Sequence, residues 1–217
     1  MSAVNAQPLL LAADGHRADY EIIVRMVSEG ARVLDLGCGT GELLERLVRE
    51  RRATARGVDL HQPSVSACIS KGLSVFHGDI HEGLADLRDD SFDYVILSRT
   101  LQQVPDPDHI IHEMLRVGTH AIVSFPNFAF WRVRLHLLCQ GTLPISQALP
   151  YAWYNTPNIR LITLADFTDF CQKQDLAILA KAALDTRNAT HPRLVHHCIN
   201  WRAEYGIFML GKASHAG

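Results

Sequence analysis

Three glycines within five positions, Gly37, Gly39 and Gly41, separate an apolar run from a helical repeat, and two acids bracket them at Asp35 and Glu42. Val33, Leu34 and Leu36 supply the run of a short buried strand, and Leu43, Leu44 and Leu47 continue at helical spacing. A turn so rich in glycine needs positive φ or admits a ligand to bare backbone, and the helix after it starts with unpaired N–H groups. The G-x-G-x-x-G pattern of dinucleotide sites is not met, because Glu42 stands where its third glycine belongs. An acid there suits the helix dipole but repels a pyrophosphate. With Asp35 in the same corner, the charge favours a ligand with a cationic end, an ammonium or a sulfonium.

Two more acids fall at the ends of predicted strands. Residues 55–60 read as a strand ending in Asp59 and Leu60, and a carboxylate at such a tip accepts from both hydroxyls of a ribose. Residues 73–80 read as the next strand, with Asp79 and Ile80 at its end, followed by strands at 90–98 and 121–125. Helical patterns at 18–28, 41–51, 63–71 and 106–117 alternate with these strands, and a further helix over 164–174 starts with Thr163 as its cap. Strands at 176–184 and 205–210 complete the pattern as an antiparallel edge. The expected fold is α/β, a doubly wound, mostly parallel sheet of seven strands. Ligands of such sheets lie outside the carboxyl ends of the strands, where Asp35, Asp59 and Asp79 all fall.

One domain over residues 17–217, preceded by an N-terminal arm at 1–16, suits a chain of 217 residues. A net charge of −2 gives no general attraction to nucleic acid or acidic membranes. The five cysteines form no C-x-x-C pair, which points to reduced thiols in the cytoplasm. The apolar run at 8–13 is too short to span a bilayer. Residues 126–161 break the strand–helix alternation with Trp131, Tyr151, Trp153, Tyr154 and the basic stretch Arg132-Val133-Arg134. This insertion reads as a substrate lid, a partner-docking surface, or a packed subdomain over the sheet edge. His191, His196, His197 and Cys198 share a loop, but their spacing matches no zinc motif, so no metal is expected. No side chain stands out as a catalytic base, since His109 and His112 belong to a helix after the fourth strand.

Asp35-Leu36-Gly37-Cys38-Gly39-Thr40-Gly41 resembles the first motif of the class I S-adenosylmethionine-dependent methyltransferases, D-x-G-x-G-x-G. The resemblance implies that S-adenosylmethionine or S-adenosylhomocysteine is held by Asp35, Gly37, Cys38, Gly39, Gly41, Asp59, Leu60, Asp79, Ile80 and Ser98. Asp59 would serve the ribose, and Asp79 and Ile80 the adenine. Within that superfamily the chain resembles the methionine biosynthesis proteins MetW, through Arg99-Thr100-Leu101-Gln102, Val123 to Phe128, Trp131 to Arg134 and Pro150 to Arg160. This implies a partner or activator of homoserine O-acyltransferase in the cytoplasm; an active small-molecule methyltransferase is the alternative. No nucleic acid or membrane is implied, and assembly of identical chains stays open.

Overall fold

The computed structural model describes residues 17–187 and 192–213. The expected arm at 1–16 and His191 lie outside the described residues. Strands β1 (Arg32–Leu36), β2 (Thr54–Asp59), β3 (Ser74–His77), β4 (Phe92–Ser98), β5 (Gly118–Pro126), β6 (Leu176–Asp185), β7 (Arg193–Leu194) and β8 (Tyr205–Lys212) form one sheet. Their order is β3-β2-β1-β4-β5-β8-β6-β7. β1 to β5 run parallel, whereas β8 is antiparallel to β5 and β6 antiparallel to β8, the doubly wound sheet with the expected antiparallel edge. The eighth strand, β7, is a two-residue pairing on the end of β6 that adds to the seven expected. A pairing so short leaves no period in the sequence.

The helices are α1 (Ala18–Met26), α2 (Glu42–Arg51), α3 (Gln62–Ser70), α4 (Ile80–Ala85), α5 (Pro107–Val117), α6 (Trp131–Gln140), α7 (Leu164–Lys173) and α8 (Ile199–Arg202). The third strand stops at His77 rather than running to Ile80, because Asp79 caps α4 by accepting from His81 N at 2.8 Å. Thr163 caps α7 as expected, accepting from Asp166 N at 3.1 Å. At the end of α2, Arg51 Nε donates to the carbonyl of Val24 at 2.7 Å and ties α2 to α1.

Strand side chains alternate between two cores. Leu34 and Leu36 of β1 and Val95 and Leu97 of β4 pack with α5, α7, Phe125, Phe167 and Phe208. Val33, Tyr94, Ile96 and Ile122 pack on the other face with Tyr20, Ile23 and Val27, and with Leu43 and Leu47 of α2. The same period carries Asp35, Ser98 and Ser124 onto the α1 face of three adjacent strands, and all three are buried. Apolar residues there would seal the sheet, so polar ones need partners.

The partners come from the start of α1. Asp19 is completely buried, and Arg17 Nη2 donates to its Oδ2 at 2.7 Å while Arg99 Nη2 donates to its Oδ1 at 2.6 Å. Ser98 Oγ lies 3.1 Å from Asp19 Oδ2 and 3.0 Å from Ser124 Oγ, and Arg17 Nη2 also reaches Ser98 Oγ at 2.8 Å. Burial alone would raise the Asp19 pKa, but the two guanidinium groups and the Ser98 hydroxyl pull it down to about 2. Arg99 takes a left-handed backbone, φ 56°, which turns its side chain back from the end of β4 across the Tyr205 ring, 4.1 Å from its centroid. Asp19→Ala leaves two guanidinium groups facing a buried cavity and should destabilise the chain by about 3–5 kcal/mol. Urea denaturation checks this; a loss under about 1 kcal/mol would show that the cluster does not hold α1.

Candidate functional site

The glycine turn is shaped by contacts from both sides. Gly37, Gly39 and Gly41 all have positive φ, at 71°, 54° and 79°. A β-carbon on Gly41 would stand 2.5 Å from Leu73 Cδ1 and 2.8 Å from Cys68 Sγ, so this glycine is needed for packing. One on Gly37 would stand 3.0 Å from Thr100 Oγ1. Gly39 differs, since a β-carbon there would meet nothing within 4 Å. The side of its α-carbon where a side chain would stand is open, at the carboxyl ends of β1 and β2, while its carbonyl accepts from Cys68 Sγ at 3.2 Å. Cys38 is buried beside Leu44 and Cys68, with its Sγ toward Gly57, where an added β-carbon would lie 2.6 Å away. Its thiol pKa is raised by burial, and it serves the packing beneath the turn.

Asp59 closes the turn. Its Oδ2 accepts from Gly39 N at 2.7 Å and its Oδ1 from His61 N at 2.8 Å. Each carboxylate oxygen keeps a second lone pair for a hydroxyl donor, and the two backbone bonds fix the direction in which those lone pairs point. Leu60, beside it, is 66% exposed. Asp79 gives one oxygen to the cap of α4 and, with Ile80, is half-buried at the end of β3.

Asp35 lies on the α1 face, 2% exposed. Burial is the main reason its carboxyl pKa rises to about 7; Asp59 adds to the rise and Arg17 opposes it. The acid is thus poised to ionise when a positive charge arrives. Ser98, one strand over, is occupied with Asp19, Ser124 and Arg17, so its hydroxyl belongs to the polar cluster rather than to open space. The structure brings Asp35, the glycine turn, Asp59, Leu60, Asp79 and Ile80 to one rim, with Ser98 beneath α1.

Sequence reasoning missed Arg17 and Asp19, and it singled out Arg99 and Gln102 for their family resemblance without giving them contacts. Asp19 sits in the first turn of an amphipathic helix, where an acid reads as a solvated dipole partner. The available signal was its position beside Tyr20 and Ile23 on the buried side. Gln102, 5% exposed, follows β4 in a single 3-10 turn and donates through Nε2 to the carbonyl of Arg99 at 2.7 Å. Its backbone carbonyl accepts from Ile159 N at 3.0 Å and Arg160 N at 3.2 Å, so the far end of the insertion rests beside the rim. Asn127 holds the near end. It is 2% exposed, and its amide donates to the carbonyls of Asn200 and Ala203 and accepts from Ala129 N and Leu164 N. Among the described residues no group of three His, Cys, Asp or Glu could hold a metal ion, and no helix is long and apolar enough to cross a membrane.

The family model of the methionine biosynthesis protein MetW matches residues 17–210. A bifunctional methionine biosynthesis protein MetXA/MetW from Rhodopirellula baltica is 40% identical over 170 residues, 74% of this chain and 27% of that one. A ubiquinone biosynthesis O-methyltransferase from Hahella chejuensis is 37% identical over 107 residues, 47% of this chain and 44% of that one. The chain thus spans about a quarter of the first relative's length and under half of the second's. Among solved structures, an S-adenosylmethionine-dependent methyltransferase from Mesorhizobium loti superposes with a TM-score of 0.63 at 21% identity, covering 93% of this chain and all of that one. A methyltransferase from Thermotoga maritima, with a TM-score of 0.63 at 15% identity, covers 89% and 87%. The solved structures share the α/β fold seen here, and the chain belongs to the methionine biosynthesis protein MetW family.

Proposed function

We propose that the chain binds S-adenosylmethionine or S-adenosylhomocysteine at the rim of β1, β2 and β3, and acts as a partner and activator of homoserine O-acyltransferase. The fit of the cofactor rests on Gly39, whose missing side chain leaves room for a nucleoside beside its α-carbon. Asp59 would hold the ribose hydroxyls with the lone pairs that Gly39 N and His61 N leave free, and Asp79 and Ile80 would meet the adenine. Leu60 would cover the ring, and Asp35 would face the cationic end. When bound, S-adenosylmethionine supplies an electrophilic methyl group on a sulfonium.

The observation that carries the partner role is the open insertion. Trp153 is 75% exposed and Tyr154 74%, where a lid closed on a small substrate would bury them. The fused MetXA/MetW relative supports the same reading, because one polypeptide there joins the two functions its name records. A working methyltransferase stays the second reading, and Asp35 is the observation in its favour: a carboxyl held near 7 beside the donor site is able to take a proton at neutral pH.

Asp35 also provides a test of the cofactor site. Its folded pKa is raised, so its contribution to stability is full below the ordinary carboxyl range and is lost as pH rises through about 7. A cationic ligand reverses the preference by favouring the ionised acid. Calorimetric affinity for S-adenosylmethionine should therefore rise about tenfold from pH 6 to pH 8, and Asp35→Asn should remove that rise. A rise of equal size in Asp35→Asn would detach Asp35 from the ligand. For the partner role, the rate of homoserine acylation by the matching acyltransferase should increase severalfold when the chain is added. No change in rate together with no co-elution would overturn it, and S-adenosylhomocysteine release in an acceptor screen would then establish methyl transfer.

A further inference from the structure

Helix α6 faces the wrong way for a helix that only packs on its own sheet. Val133 is its one buried residue, whereas Leu138 is 84% and Leu135 49% exposed. Trp131, Leu135 and Leu138 stand at i, i+4 and i+7, so they form one stripe, and that stripe points away from Val133. Arg132 and Arg134 flank it, and Arg134 lies 5.3 Å from the ring centroid of Trp201, which is itself 49% exposed. The exposure is general to this segment: more than half of the large hydrophobic side chains exposed among the described residues belong to residues 126–161. The charge is equally one-sided. Between Glu113 and Asp166 the chain has no Asp or Glu, while Arg132, Arg134 and Arg160 lie within the insertion.

Three occupants could cover such a face, and its charge separates them. A second copy docked through the same patch would set Arg132 and Arg134 against their own copies, since a two-fold contact repeats its own surface, and Asp185, the carboxylate that Arg132 faces, is already paired with Arg187. A membrane surface calls for a cluster of about four to eight basic residues. The insertion holds three and no lysine. A protein groove with apolar pockets and an acidic rim matches both properties, and an i, i+4, i+7 stripe is the set of anchors a helix lays into a groove. We infer that α6 docks through Trp131, Leu135 and Leu138 into an acidic-rimmed apolar groove of the acyltransferase, with Arg132 and Arg134 paired to the rim. The inference rests on the partner reading above and specifies the surface that reading uses.

The test measures binding of the purified chain to the purified matching acyltransferase. Leu135→Asp/Leu138→Asp and Arg132→Glu/Arg134→Glu are compared with the native chain and with Ile69→Asp, a control on α3 at a residue 61% exposed. Both α6 variants should bind at least tenfold more weakly, with an unchanged urea midpoint and unchanged affinity for S-adenosylmethionine. Ile69→Asp should bind like the native chain. If the native chain binds and the α6 variants bind equally well, the docking surface is wrong and the partner role stands. If the native chain does not bind at all, the partner role fails and the inference fails with it. Loss of a self-associated species in the α6 variants by sedimentation, or binding of the native chain to anionic vesicles that those variants lack, would assign the face to a second copy or to a membrane and overturn the inference.

Discussion

A carboxylate with no access to water organises the upper half of this molecule. Asp19 is held between the guanidinium groups of Arg17 and Arg99, and neither charge type would be tolerated there without the other. Through Ser98 and Ser124 the same group satisfies the polar ends of β4 and β5, where the strand period places hydroxyls on a face that α1 must cover. Arg17 also lies close enough to Asp35 to oppose the rise in its pKa. The anchoring of α1, the strained turn at Arg99 and the charge of the crevice are thus consequences of one buried ion cluster.

Much of this fold is legible in the chain because its signals are local. The strand–helix alternation, the glycine turn and the cap at Thr163 each depend on neighbours within a few residues, and each stands where spacing puts it. The failures are of the opposite kind. Asp79 looks like a strand residue until the six-residue helix it caps is seen, and so short a helix has too few turns to show a period. Asp19 is a charged residue at an interior position, and its partners Ser98 and Arg99 lie about 80 residues away in the chain. The acids on the rim were readable as chemistry, yet the two backbone donors that aim Asp59 come from separate segments, the glycine turn and the start of α3, whose geometry no spacing rule specifies.

The insertion shows how such a scaffold acquires a second surface. Its ends are pinned, by Asn127 at one side and by the carbonyl of Gln102 at the other, so the rim and the insertion share a rigid edge. Between the pins the chain exposes aromatics and leucines that packing on the sheet would have buried. A ligand at the rim and a partner on the insertion, as proposed, would therefore meet through Gln102 and Arg99, which follow β4. Two sites joined in this way influence one another only if the partner distinguishes the loaded chain from the empty one.

The most direct measurement is the dissociation constant of the chain and the matching acyltransferase, taken without ligand and again with saturating S-adenosylmethionine. Coupling free energies in allosteric proteins correspond to factors of about 5–150, and a change of that order is the result this account predicts. Equal constants in the two conditions would contradict it, leaving the nucleoside site and the docking surface as independent features of one fold.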